Sequence, residues 1–181
     1  HSHSGPQTSF RFHRLLGRAD ADYVEFLENK LIEAVGQAAA DAEPATLERG
    51  SGRSAIGVQR RKYENGRVFG GPNLDGPMDP EVTVLRVRGR SGATKAVVVH
   101  YACHPVTTTV NRASSEFTGA AMEALERRLG GGAVCLFLQG ACGDINIFKA
   151  SAPPELTDDY AISYYFGAKL ADTVADVLDG G

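Results

Sequence analysis

Lys95-Ala96-Val97-Val98-Val99-His100-Tyr101-Ala102-Cys103-His104-Pro105 is the stretch on which the reading of this chain turns. From Lys95 to Cys103 it is an apolar run rich in β-branched and aromatic residues and bounded by turn residues. Such a run predicts a central strand buried on both faces. A histidine and a proline follow at once. In α/β sheets ligands sit beyond the carboxyl ends of strands, so His104 stands where a ligand would.

Downstream, Ser115 to Leu129 reads as a helix that stops at Gly130-Gly131-Gly132. Ala133 to Leu138 is a second apolar strand, running into Gln139-Gly140-Ala141-Cys142-Gly143-Asp144. A last helix is expected from about Pro154 to Leu178, opened by Pro153-Pro154 and closed by Gly180-Gly181. Upstream, Val82 to Val87 is β-rich. Residues 62–80 read as a long loop with a turn at Glu64-Asn65-Gly66, and Ala45–Leu47 and Ser54–Val58 as short strands. Tyr23, Leu27, Leu31 and Val35 recur on one helical face, so residues 20–40 read as a helix capped by Asp20 or Asp22. Residues 5–17 read as a loop. Strands alternate with helices, and the two most apolar strands flank one helix. The expected fold is therefore α/β, with a mixed β-sheet flanked by α-helices.

With 181 residues the chain fits one domain, and 43% hydrophobic against 23% charged residues is ordinary globular composition. A formal charge of -3 gives no basic surplus to attract nucleic acid or an anionic membrane. No apolar run approaches the length of a membrane helix, roughly 20 residues. Cys103, Cys135 and Cys142 are odd in number and lack metal-type spacing, which argues against a disulfide framework. Oligomeric state and compartment are left open.

Chemistry-bearing residues gather at the start and at the strand ends. His1 and His3 of His1-Ser2-His3-Ser4-Gly5-Pro6 are spaced i, i+2 and share a face if extended. Neutral imidazole suits zinc, so the pair reads either as two corners of a metal site or as a tag remnant. His104 reads as a ligand or as a turn histidine bonded to backbone. His100 lies mid-strand and reads as core or as support behind the site, while His13 reads as surface. Gly140 to Asn146 packs small residues around Asp144, which allows close backbone approach to a ligand or a plain turn. Arg60-Arg61 follows the strand Ser54–Val58, and one of the two arginines could stabilise an oxyanion.

In order along the chain, HSHSGP (1–6), VQRR (58–61), GPMDPEVTVLRV (76–87), VVHYACHPVT (98–107), SSEFTGAAMEALE (114–126) and FLQGACGDIN (137–146) resemble the N-terminal catalytic domain of the neutral/alkaline non-lysosomal ceramidases. Each motif is weak alone, but their order is specific. The resemblance implies that the first histidines are native and that the chain is an internal part of a longer protein, an incomplete domain of a short bacterial-type member. It implies Zn2+ as cofactor, with His1 and His104 as ligands. His3 is implied to stabilise the oxyanion and Arg60 to contact the reacting group. Asn146 stands where ceramidases carry a serine assigned to the reaction centre, so a serine nucleophile does not transfer. The family's remaining ligands, a glutamate and a tyrosine, have no matching motif before Gly181 and are implied to lie beyond it.

The function this predicts is zinc-dependent hydrolysis of an amide bond, in a small molecule or an N-acyl lipid such as ceramide, by the longer protein. Two alternatives remain. One is a non-catalytic module with an incomplete zinc shell. The other is a metal phosphoesterase using Asp144, which the absence of a dense Asp/His cluster disfavours.

Overall fold

A computed structural model of the chain describes residues 2–11 and 17–180. His1 and His13 therefore lie outside the described residues. The chain divides into two compact units, Gly5–Pro44 and His1–Ser4 with Ala45–Gly181.

In the smaller unit the expected helix is present as α1, Ala21–Ala40. Asp20 caps it, its side chain accepting from the Tyr23 amide at 3.0 Å. The carboxylate satisfies one of the donors that a helix start leaves unpaired.

The larger unit holds β1 (Thr46–Arg53), β2 (Gly57–Glu64), β3 (Arg67–Asn73), β4 (Glu81–Arg88), β5 (Thr94–Tyr101), α2 (Glu116–Leu129), β6 (Val134–Gln139), β7 (Ile145–Ile147) and α3 (Asp159–Asp179). One sheet has the order β1-β4-β5-β6 and a second the order β3-β2-β7. β5 and β6 are parallel, with Val97 opposite Cys135 and Val99 opposite Phe137. The β1–β4 and β4–β5 pairs are antiparallel, so the main sheet is mixed. A parallel pair needs a long crossover, and α2 supplies it. The α/β expectation thus holds.

The core lies between one face of the main sheet and the two helices. Val82, Val84, Val97, Val99 and Cys135 meet Phe117, Ala121 and Leu125 of α2 and Phe166, Leu170, Val174 and Leu178 of α3. The helical residues recur every four positions, and the strand residues every two, as each element requires to present one face. All three cysteines are buried and free, in keeping with the absence of a disulfide framework.

Several expectations need correction. The loop predicted over 62–80 is in large part a β-hairpin. β2 runs on to Glu64, Asn65 and Gly66 take φ of +50° and +75°, and β3 returns antiparallel. Two left-handed central residues match the twist of a tight hairpin. Gly70-Gly71-Pro72 disguised the strand, because Gly and Pro usually break strands. Arg60 and Arg61 lie within β2 rather than after it. β5 is central but not buried on both faces: Val97, Val99 and Tyr101 are buried, Val98 is half-buried and His100 is exposed. The last helix starts at Asp159, where the Asp158 side chain accepts from the Ala161 amide, and not at Pro154.

Candidate active site

The site forms where β5 and β6 end and separate. The Gly140 amide donates to the Tyr101 carbonyl at 3.0 Å, the last link between the two strands. A Cβ on Gly140 would lie 2.9 Å from the Ala102 Cα, so only glycine lets the strand ends come this close. The chain from β5 then crosses to the second sheet. The His104 amide donates to the Ile145 carbonyl at 2.9 Å, and His104 and Asn146 form an isolated parallel bridge. The Tyr101 hydroxyl joins the sheets a second time, accepting from the Gly57 amide and donating to the Ser54 carbonyl, both at 3.2 Å.

His104 is buried at 6% exposure, and its Nδ1 lies 2.5 Å from the Cys142 carbonyl. A carbonyl can only accept, so Nδ1 carries the proton, and in a neutral ring Nε2 then carries the lone pair. This is the arrangement that fixes a histidine for metal ligation, with the outer nitrogen donating to backbone.

Arg60 is brought to the same place by β2, which pairs with β7 so that Val58 faces Asn146. Its amide donates to the Asp144 carbonyl at 2.8 Å. Its guanidinium donates to the Gly143 carbonyl at 2.8 Å and toward Asn146 Oδ1 at 3.5 Å. The GACGDIN turn thus cradles the arginine. Asp144 is joined to Gln59, whose Nε2 donates to it at 2.8 Å and also to the Pro77 carbonyl. That hydrogen bond, assisted by Arg61 and Arg60, holds the Asp144 carboxyl below the ordinary aspartate value.

His3 faces His104 with ring centroids 5.4 Å apart and planes inclined at 59°. Desolvation lowers its pKa first, then the nearby His104, with Arg60 adding to the effect and Glu116 opposing it. Burial, a second imidazole and a guanidinium together disfavour a positive charge on this ring. The sequence-predicted residues His3, Arg60, His104 and Asn146 therefore come together. His1 lies outside the described residues, and His100, expected in the core or behind the site, is instead exposed on the other face of β5.

Sequence reasoning missed Glu116. Its carboxylate is 2% exposed and accepts from Ser4 Oγ at 2.7 Å, Thr108 Oγ1 at 2.5 Å, the Thr107 amide at 2.7 Å and the Thr107 hydroxyl. The Thr107 hydroxyl in turn meets Ser163 of α3. Burial alone would push this carboxyl up, but the hydrogen bonds from Thr107, Thr108 and Ser4 outweigh it and hold the pKa below the usual glutamate value. The residue also takes φ of +57°, a left-handed conformation that costs roughly 1–2 kcal/mol for a side chain with a Cβ. The one signal was an acid between Ser114-Ser115 and Phe117 at a helix start, and such acids are ordinary there.

Among the described residues no group of three or more His, Cys, Asp or Glu side chains is placed to hold a metal ion. The His104 ring nevertheless fits a zinc ligand, since the Cys142 carbonyl orients it through Nδ1, the supporting contact that ligating histidines make.

The arrangement defines an α/β protein with a histidine–arginine site at the carboxyl end of a parallel strand pair. Solved structures give that class a particular fold. The chain matches neutral ceramidase from Pseudomonas aeruginosa with a TM-score of 0.81 at 18% identity, over 99% of this chain and 30% of that one. It matches a ceramidase complexed with C2 with a TM-score of 0.82 at 16% identity, over 99% of this chain and 29% of that one. The fold is that of somewhat under a third of a neutral ceramidase, as the resemblance in the sequence implied. No protein-family model and no curated protein matches the sequence. Among the described residues no helix is long and apolar enough to cross a membrane.

Proposed function

We propose that this chain carries one side of a zinc-dependent amidase site that hydrolyses an N-acyl lipid amide of the ceramide class. The observation that supports this best is the orientation of His104. Its ring is buried at a strand end and fixed by the Cys142 carbonyl, and it faces His3. The likeness of the fold to neutral ceramidases supports an amide as substrate.

His104 and His1 would hold the metal, with further ligands from the longer protein. Zinc, when bound, polarises the scissile carbonyl and makes a water acidic enough to attack at neutral pH. The other residues act around that centre. Arg60, held by the Gly143 carbonyl and Asn146, presents fixed positive charge to the developing oxyanion. Neutral His3 donates one N–H to the same oxygen. Asn146 orients Arg60 and, lacking a hydroxyl, is no nucleophile.

The test uses the full-length protein, with zinc content and ceramide hydrolysis measured together. His104→Ala should lose both zinc and activity. Arg60→Ala should keep zinc and lose roughly 100- to 1,000-fold in kcat, the usual cost of an oxyanion contact. Undiminished hydrolysis by zinc-free protein would sink the reading. A non-catalytic module with an incomplete zinc shell is the second reading. It expects His104→Ala to leave zinc affinity unchanged.

A further inference from the structure

Two separate stretches of chain donate to one carboxylate, and a third joins them through the Thr107 hydroxyl. Ser4 belongs to the segment that carries His3, and Thr107 and Thr108 follow His104. Ser163 lies on α3, and Glu116 itself opens α2. The Ser4 hydroxyl donates to Glu116 Oε1 at 2.7 Å and lies 2.7 Å from Thr108 Oγ1. Thr108 donates from its hydroxyl to Oε1 at 2.5 Å and from its amide to Oε2 at 3.1 Å. Thr107 donates from its amide to Oε2 at 2.7 Å and also from its hydroxyl. One backbone link reinforces the side-chain ones, the Ser114 amide donating to the Ser4 carbonyl at 2.9 Å.

A carboxylate with its lone pairs filled by donors at 2% exposure is not a proton carrier for substrate. What it can do is hold its donors at fixed positions. Ser4 is one residue from His3, and Thr107 is three residues from His104. The two segments are far apart in sequence and share no strand pairing, so their separation is set where they are tied together.

We propose that Glu116 is a positioning residue of the site: its carboxylate ties Ser4 to Thr107 and Thr108 and thereby sets the distance between the His3 and His104 rings. The catalytic consequence rests on the amidase reading above, while the geometric one does not. A displacement of about 1 Å at a reacting group can cost on the order of 100-fold in rate, so a tie of this kind has leverage on kcat.

Ser4→Ala is the informative variant, because it removes one arm and leaves Glu116 bonded to both threonines. Glu116→Gln is the companion, and Ser4→Thr the rescue that restores a hydroxyl. In the whole protein, NMR would read the contact between the His3 and His104 ring protons and the hydrogen exchange of the Ser114 amide. Thermal unfolding and zinc-loaded kinetics on ceramide complete the set. In Ser4→Ala the ring contact should weaken severalfold and Ser114 exchange should quicken about tenfold, the order of one lost hydrogen bond. Thr107 exchange and the melting temperature should stay near wild type. kcat should fall about tenfold with KM within about twofold, since only alignment is lost, and Ser4→Thr should recover the ring contact, the Ser114 protection and kcat. Glu116→Gln should reproduce these losses; should it fail to fold, Ser4→Ala decides alone. An unchanged ring contact and unchanged Ser114 exchange in Ser4→Ala would overturn the proposal. If the wild type hydrolyses no ceramide yet the ring contact and exchange respond as expected, the tie stands and the amidase reading falls.

Discussion

Glu116 combines an unfavourable backbone conformation with a fully hydrogen-bonded carboxylate. Its left-handed backbone is unfavourable, and its burial would be more so without partners. The donors from Thr107, Thr108 and Ser4 reverse that balance and favour the charged form. A carboxyl whose folded pKa is lowered contributes stability that is full above its unfolded value. That contribution is lost as pH falls through the folded one. The wild-type melting temperature should therefore drop on acidification through and below the ordinary glutamate range. Glu116→Gln should start lower at neutral pH and change less over the same interval. Asp144 and Asp159, also held below the usual aspartate value, are present in both proteins, so the difference between the curves isolates Glu116. Parallel curves would show that the carboxylate is not stabilised by its donors.

At the scale of elements, the site depends on how closely the two helices of the larger unit approach. Gly167 of α3 sits against α2: a Cβ there would lie 2.6 Å from the Ala120 Cβ and 2.9 Å from the Ala121 nitrogen. Ser163, one turn earlier on α3, meets the Thr107 hydroxyl, so displacing α3 disturbs the Glu116 network directly. Gly167→Ala should destabilise by roughly 1–3 kcal/mol through overpacking, although alanine favours helix. Gly36→Ala in α1, where nothing lies within 4 Å of the added Cβ, should stabilise by about 0.4–1 kcal/mol. Denaturant titration of the two variants checks the opposite signs. Destabilisation by Gly36→Ala, or none by Gly167→Ala, would contradict the packing account. The helix and strand periods that define these elements were legible in the sequence. The close approach was not, because glycine inside a helical pattern reads only as a weak helix former.

At the scale of the larger unit, one face of the main sheet packs against α2 and α3, and no helix of that unit covers the other. Leu85, Val98 and Leu136 stand in register across β4, β5 and β6 on the face away from α2 and α3. On the edge strand β6, Val134, Leu136 and Leu138 are 51%, 52% and 54% exposed. Contiguous exposed apolar surface binds hydrophobic dyes. The chain should bind anilinonaphthalene sulfonate in its folded state, and Leu136→Lys with Leu138→Lys should abolish most of that fluorescence with little change in melting temperature. Dye binding that survives the double substitution would place the apolar surface elsewhere.

The sequence by itself determined the alternation of strands and helices, the α/β class and the strand-end position of His104. It also marked His3, Arg60 and Asn146 as belonging together, through six motifs in order. Those features are local, written in periodicity, in turn residues and in residue type. Tertiary structure decided what depends on distant segments meeting. Val98 shows only there that β5 is packed on one face, since an apolar run reads alike whether one face or two are covered. The hairpin at Asn65-Gly66 needed a partner strand to reveal that a glycine-rich stretch pairs. The tie from Ser4 through Glu116 to Thr107 spans more than a hundred residues. Serine, threonine and glutamate are too common at the surface for their meeting to be read from type or spacing, and only the folded chain buries them around one charge.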